Sequence, residues 1–274
     1  MLYLVGTPIG NLEDISERTL RILREADAIG AEDTRHTRKL LTHFDIHTSL
    51  FSFHQHNEQR RTEDVISRLK AGEDIAIVSD AGMPSISDAG RHLVTRLREE
   101  QLPYTCVPGS SAVETALVLS GLPTESYAFL GFVPRDTKDR TALWQTLDVL
   151  PYTAVLFESP KRLAATLEDM NRVLPGRQLV VARELTKMHE EIIGGTGAEL
   201  LAHFSGPEGV RGECVLVVSP SGKTPEETSL HVAAAMVEKV RTLTECSRSV
   251  AARIVAELTG IPRSRLYRES LEGE

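Results

Sequence analysis

Ile75-Ala76-Ile77-Val78-Ser79-Asp80-Ala81-Gly82-Met83-Pro84-Ser85-Ile86-Ser87-Asp88-Ala89-Gly90 is the stretch that decides the fold. It opens on a continuous apolar run with no alternation, which is how a strand covered on both faces reads. A long loop of small and polar residues follows, and a helical pattern takes over across residues 90–99. Long ordered loops between a buried strand and a helix are usually functional.

The same strand-then-helix alternation extends in both directions. Strands are expected over residues 2–5, 28–31, 49–53, 75–79 and 104–107, with helices over 15–26, 34–43, 57–71, 90–99 and 111–120. Such alternation predicts a mostly parallel sheet covered on both faces. Gly121-Leu122-Pro123-Thr124 breaks the pattern. A second set follows, with strands over 127–132, 153–157, 179–183, 191–194 and 214–218 and helices over 138–148, 161–174 and 197–204. Two strands in succession near residues 180–194 predict a mixed sheet. Ser219-Pro220-Ser221-Gly222-Lys223-Thr224-Pro225 reads as a linker, and beyond it the chain reads as all-helical. Gly260 and Pro262 separate two helices in the manner of a helix-turn-helix. The fold class is therefore α/β: two α/β domains, 1–120 and 121–222, and a small C-terminal helical domain, 223–274.

With 274 residues, 41% hydrophobic and 26% charged, the chain has the composition of an ordinary globular protein. No run approaches the roughly 18 apolar residues of a membrane span. No leader precedes the first strand, so the cytoplasm is expected. Cys106, Cys214 and Cys246 are far apart, fit a reducing compartment, and lack metal-ligand spacing. The net charge of −8 argues against a general nucleic-acid binder. Between Cys246 and Arg268, however, Arg248, Arg253, Arg263, Arg265 and Arg268 face one acid, Glu257. That makes the segment a candidate RNA-facing patch, against the plainer reading of a solvated bundle.

Ligands of open parallel sheets sit at the carboxyl ends of the strands, and here those ends carry distinctive residues. Gly6-Thr7-Pro8-Ile9-Gly10-Asn11 follows the first strand but matches neither the dinucleotide fingerprint nor a P-loop. Asp80 in the long loop is placed to accept from a ligand hydroxyl or amine, with Gly82 and Pro84 shaping the wall. The plainer reading of the loop is helix capping by Ser87 or Asp88. Pro108-Gly109-Ser110-Ser111-Ala112 opens a helix whose amides favour electron-rich groups. Three charged clusters follow strands: Glu32-Asp33-Thr34-Arg35-His36, Phe53-His54-Gln55-His56-Asn57-Glu58 and Arg183-Glu184-Leu185-Thr186-Lys187. His54 and His56 are expected to alternate along a strand, so that only one faces a given cleft.

Taken with Phe157-Glu158-Ser159-Pro160-Lys161-Arg162, these motifs stand in the order found in the bacterial small-subunit rRNA cytidine 2′-O-methyltransferases of the RsmI type, within the tetrapyrrole-methylase superfamily. The resemblance runs through nearly the whole chain. It implies two α/β domains with S-adenosylmethionine in a cleft between them, a homodimer, and 16S rRNA in the small ribosomal subunit as substrate, with a decoding-centre cytidine as the modified nucleotide. Its donor pocket falls here on Thr7, Pro8, Asp80, Gly82, Pro84, Ile86, Ser87, Ser111, Ala112 and Phe157. The sequence departs at Met83, where threonine is frequent, and at Ala89, where proline is usual.

A donor of that kind carries an electrophilic methyl, so the enzyme must hold a ribose hydroxyl in line, exclude water and take up a proton; no metal is required. Glu32, Asp33, Arg35, His56, Arg183, Glu184 and Lys187 are the candidates to hold and activate the nucleotide. Asp33, His56 or Glu184 would act as base, and Arg35, Arg183 or Lys187 would hold phosphates. Inter-domain ion pairing by Arg35 and Glu184 is the plainer alternative. Competing functional readings are a methyltransferase acting on a tetrapyrrole or other small molecule, and a non-catalytic nucleic-acid-binding protein.

Overall fold

A computed structural model describes residues 1–206, 209–222, 230–244 and 246–272. The chain forms two compact units, Met1–Thr115 with Glu184–Glu190, and Ala116–Arg183 with Glu191–Glu274.

The first unit is built on strands β1 (Leu2–Val5), β2 (Ala28–Ala31), β3 (Leu50–Ser52), β4 (Ile75–Val78) and β5 (Tyr104–Val107), all parallel, in the order β3-β2-β4-β1-β5. Helices α1 (Glu17–Glu25), α2 (Thr34–His43), α3 (Glu58–Lys70) and α4 (Arg91–Glu99) follow the first four strands. Alternation along the pleat decides which helix meets which face. Val5, Ile29, Ala76 and Val78 point to the side of Ile22 and Leu23 on α1 and Leu41 on α2. Leu2, Ile75 and Ile77 point to the side of Val65 and Ile66 on α3 and Leu93 and Leu97 on α4. Each such side chain, once fully buried, contributes roughly 1.5–3 kcal/mol. Neighbouring strands β1 and β4 thus send their helices to opposite faces, and their carboxyl ends mark the switch point at whose crevice open α/β sheets bind ligands.

Helix α5 (Ala112–Ser120) leads into the second unit. Its strands β6 (Tyr127–Phe132), β7 (Thr153–Glu158), β8 (Leu179–Arg183), β9 (Glu191–Gly195) and β10 (Cys214–Val218) are ordered β6-β7-β10-β8-β9. β6 and β7 are parallel and the other pairings antiparallel, which is the mixed sheet that the adjacent strands predict. Helices α6 (Thr137–Val149), α7 (Leu163–Val173) and α8 (Gly197–Phe204) contribute Trp144, Leu147, Leu163, Leu167, Met170, Leu200 and Phe204 to its core. Helix α8 starts on a reciprocal capping box between Thr196 and Glu199.

Of the predicted linker, residues 223–225 lie outside the described residues, as does the start of the expected helical domain. Ser219 and Ser221 are not loose: their backbone N–H groups donate to Gln178 and Leu150, and the Ser221 hydroxyl donates to Asp148 O at 2.7 Å. Helices α9 (Leu230–Thr244), α10 (Arg248–Thr259) and α11 (Arg263–Glu272) close on their own core of Ala233, Val237, Ala251, Ala252, Val255 and Leu266. Gly260 stops α10 at φ +68°, as the sequence predicts. Among the described residues, no helix is long and apolar enough to cross a membrane.

Candidate active site

Three loops close over the crevice of the first unit. Thr7 and Gly82 form an isolated antiparallel bridge: Thr7 N–H donates to Gly82 O at 2.9 Å and Gly82 N–H to Thr7 O at 3.1 Å. The buried Thr7 hydroxyl lies 3.3 Å from Ser79 O. The loop after β5 packs as tightly, because a Cβ on Gly6 would stand 2.7 Å from the Gly109 backbone and from Met83 Sδ. Only glycine permits that approach, with the Met83 thioether packed against it. Pro8, Pro84 and Ala112 flank these contacts in sequence, and Ile86 is exposed. The Ser111 hydroxyl donates to Glu114.

The 79–90 loop is held by the α3 side. Gln55 Nε2 donates to Ser87 O at 3.1 Å. Glu58 Oε1 accepts from Gly90 N–H at 2.8 Å and from His92 N–H at 3.0 Å. Glu58 therefore caps α4, and neither Ser87 nor Asp88 does, contrary to the capping expectation. Ser85 and Ser87 both adopt the left-handed region, at φ +70° and +65°, and the Ser85 hydroxyl oxygen is buried with no partner among the described residues. Strain of this kind persists where surrounding contacts impose it and clusters at ligand sites. The buried Ala89 carbonyl accepts from Ser85 N–H at 3.2 Å.

Three acids meet at the ends of β2 and β4. Asp80 Oδ1 accepts from Asp33 N–H at 3.0 Å. Burial and the Asp80 charge raise the Glu32 carboxyl, partly offset by a hydrogen bond with Asp88 and by His54. Asp88 is pushed up to about 7 by burial, by the Glu32 charge and hydrogen bond, and by Asp80. Two carboxyls so placed share a proton and titrate as a pair. Asp33 behaves oppositely. It is the N-cap of α2, accepts from Arg35 N–H at 2.8 Å, and pairs with the Arg35 guanidinium at 2.8 Å. The Arg35 hydrogen bonds hold its carboxyl well below the usual carboxylate range. The Asp33 carboxylate, a base candidate from the sequence, is here engaged by the α2 N-terminus and the Arg35 guanidinium.

His54 and His56 do not sit on a strand: β3 ends at Ser52 and both rings lie in the turn before α3, 5.9 Å apart and edge to face. The expected alternation fails because Asn57 turns the chain early, its side-chain oxygen accepting from His54 N–H at 2.9 Å. The turn brings the two rings together where a strand would have separated them.

Glu184 and Lys187 belong to the first unit, although the flanking strands belong to the second. Lys187 Nζ pairs with Glu184 Oε1 at 2.8 Å. The Thr186 hydroxyl accepts from Asn11 N–H at 3.0 Å, and Gly10 lies so close that a Cβ there would meet Lys187 Cγ at 2.5 Å. The segment is thereby fixed to the loop that carries Thr7 and Pro8.

Arg183 and Phe157 are in the second unit. Arg183 is paired with Glu191 at 2.8 Å, and Glu191 also meets His203 at 2.9 Å. Burial works to raise the Glu191 carboxyl, but the His203 and Arg183 hydrogen bonds outweigh it and hold it low. The Arg183 charge is thus already balanced without a phosphate. Phe157 packs edge to face against Phe129 and Phe132, with centroids at 4.9 and 5.3 Å. Glu158, in the same motif, is buried and bound to Arg162 at 2.6 Å and to the Thr166 hydroxyl at 2.5 Å, a structural ion pair.

Sequence reasoning left Asp88 as a possible cap and His54 unassigned. Among the described residues, no three His, Cys, Asp or Glu side chains are grouped to hold a metal ion.

The family of tetrapyrrole (corrin/porphyrin) methylases matches residues 1–201. The chain belongs to that family. Within it, this methyltransferase is 43% identical to the ribosomal RNA small subunit methyltransferase I of Synechocystis sp., over 100% of its own length and 98% of the relative's. It is 47% identical to the protein of the same name from Halalkalibacterium halodurans, over 82% of its own length and 78% of the relative's. In structure it is similar to uroporphyrin-III-C-methyltransferase from Thermus thermophilus, at a TM-score of 0.56 and 22% identity, over 80% of this chain and 93% of the other. That last likeness speaks for the fold alone.

Proposed function

We propose that this methyltransferase transfers the methyl of S-adenosylmethionine to a ribose 2′-hydroxyl of 16S rRNA in the small ribosomal subunit, at a decoding-centre cytidine. One observation carries the reading. The methylase match ends at residue 201, whereas the likeness to the ribosomal RNA methyltransferases continues to the end of the chain and takes in α9–α11. A tetrapyrrole acceptor gives no reason for those helices to be shared.

The crevice suits the donor chemically. Thr7, Pro8, Gly82, Pro84 and Ile86 form its walls, Asp80 offers an acceptor, and the amides at Ser111 and Ala112 open a helix toward an electron-rich group. The buried Ser85 hydroxyl without a partner is a polar group awaiting one. When bound, the donor supplies an electrophilic methyl on a sulfonium. The Glu32–Asp88 pair, in the form that holds no proton, takes the one that leaves the ribose oxygen and shares it between the two carboxyls. Asp33 stays ionised and sets Arg35 to meet phosphate; Lys187, His56 and Glu184 line the acceptor side. Such a reaction takes place where ribosomes are assembled, in the cytoplasm. Edge strand β6 with exposed Phe132, and exposed Val118 on α5, favour pairing with a second copy into a homodimer.

Labelled S-adenosylmethionine is incubated with small ribosomal subunits from a strain lacking the gene, and the product is mapped by nuclease. Label on one decoding-centre ribose is expected; absence of label with the donor bound overturns the rRNA reading. Asp33→Ala should lower turnover at least tenfold with donor affinity unchanged.

A further inference from the structure

The three C-terminal helices carry a groove of their own. Ser249 at the start of α10 and Arg263, Ser264, Tyr267, Arg268 and Leu271 on α11 line an open groove of ≈ 830 Å³. Its composition follows from helical spacing. Arg263, Tyr267 and Leu271 stand at i, i+4 and i+8, and Ser264 and Arg268 form the adjoining row. Leu266 and Ser270 turn the other way into the bundle and are buried. The outward stripe leaves large hydrophobic side chains open to water: Tyr267 is 41% exposed and Leu271 47%. An aromatic ring and an aliphatic side chain held in water between two arginines are a cost to solubility that a binding partner offsets.

The arginines are not equivalent across the C-terminal segment. Arg248, counted with the basic patch in the sequence, is turned inward and paired with Glu238 at 2.7 Å. Arg263 faces the groove, and its guanidinium donates to the Ser249 hydroxyl at 2.5 Å. That bond uses one of its five N–H donors and fixes the plane of the fork. Among the described residues, no acid lines the groove. In a chain of net charge −8, a groove whose described lining holds two arginines and no acid favours an anionic partner.

We propose that this groove binds single-stranded RNA, one base stacking on Tyr267 with Leu271 beside it and the flanking phosphates pairing with Arg263 and Arg268. Aromatic stacking with arginine on the backbone is how unpaired nucleotides are held without sequence readout. A duplex keeps its bases stacked inside and cannot offer one to Tyr267. The groove thus anchors an unpaired stretch of the substrate. This rests on the rRNA reading above for its biological target, though not for its chemistry.

The full-length protein is titrated with a short labelled RNA, single-stranded and then annealed to its complement, at several salt concentrations. Tyr267→Ala should weaken single-strand binding by about five- to 150-fold, while Tyr267→Phe keeps it. Arg263→Gln and Arg268→Gln should each reduce the slope of log affinity against log salt by about 0.7. All of these side chains are exposed, and circular dichroism of the arginine variants confirms the bundle. Equal binding of duplex and single strand overturns the proposal, as does wild-type affinity in Tyr267→Ala or an unchanged salt slope in the arginine variants. Methyl transfer to small ribosomal subunits is measured alongside. Label on the subunits with variants that bind RNA like wild type removes the groove and leaves the function standing. Groove-dependent RNA binding with no label on any rRNA does the reverse.

Discussion

Asp88→Asn should make the protein more stable in alkaline solution and leave it unchanged in acid. The folded state raises Asp88 from 3.8 to about 7. A carboxyl raised on folding contributes stability that is fully present below its unfolded value and is lost as pH rises through its folded one. The window here runs from about pH 4 to about pH 7. Roughly three pKa units at 1.36 kcal/mol each set an upper bound of about 4 kcal/mol. Asp88 is only half-buried, so solvent screening reduces this to ~1–2 kcal/mol. Asparagine removes the charge and keeps a donor for Glu32. At about 2–4 °C per kcal/mol, the melting temperature near pH 8.5 should rise by about 2–8 °C, with a change under about 1 °C near pH 3.5. Differential scanning calorimetry across that range is the assay. A variant that melts at or below wild type near pH 8.5 would refute the idea that burial and the Glu32 charge disfavour an ionised Asp88 in the folded protein.

Other perturbations test the remaining contacts. Gly6→Ala sets a methyl 2.7 Å from the Gly109 backbone; it should cost about 1–3 kcal/mol and weaken calorimetric binding of S-adenosylhomocysteine, and full affinity would show that the loops have room. Glu58→Ala deprives Gly90 and His92 of their acceptor, so about 1–2 kcal/mol of stability should go and the first amides of α4 should exchange faster with solvent. Thr196→Ala breaks the α8 capping box in the second unit; the expected result is about 1 kcal/mol off the stability with kcat unaltered, and a fall in kcat would tie α8 to the chemistry.

The architecture was readable because both sheets are written in runs that admit one interpretation. Ile75–Val78 is apolar throughout and buried throughout, and the alternation around it leaves little choice but a parallel sheet. The mixed second sheet followed from β8 and β9 standing with no helix between them. What was not legible depended on partners distant in sequence. Nothing local to Asp88 says that Glu32 lies against it, or that Glu58 would take over the capping of α4. His54 and His56 read as a strand pair because the bond from His54 N–H to Asn57 that ends the strand is a side-chain event. The five-arginine tail read as one patch, yet Arg248 belongs to Glu238. Charge counts add residues; only packing says which way each one faces.

The seven residues Glu184–Glu190 are inserted from much later in the sequence into a unit whose other residues end at Thr115. During synthesis the N-terminal sheet emerges first, with the Asn11 N–H waiting on Thr186, 175 residues behind it. The nascent protein must therefore extend through β8 before its own beginning can be finished. The entropy of closing so long a loop grows only slowly with length, so the delay is one of time more than of free energy. A ribosome stalled before residue 184 would display a nearly folded domain with the Gly10 loop still unlatched. Methyl-donor binding by the growing chain should accordingly switch on late, after Lys187 has left the exit tunnel.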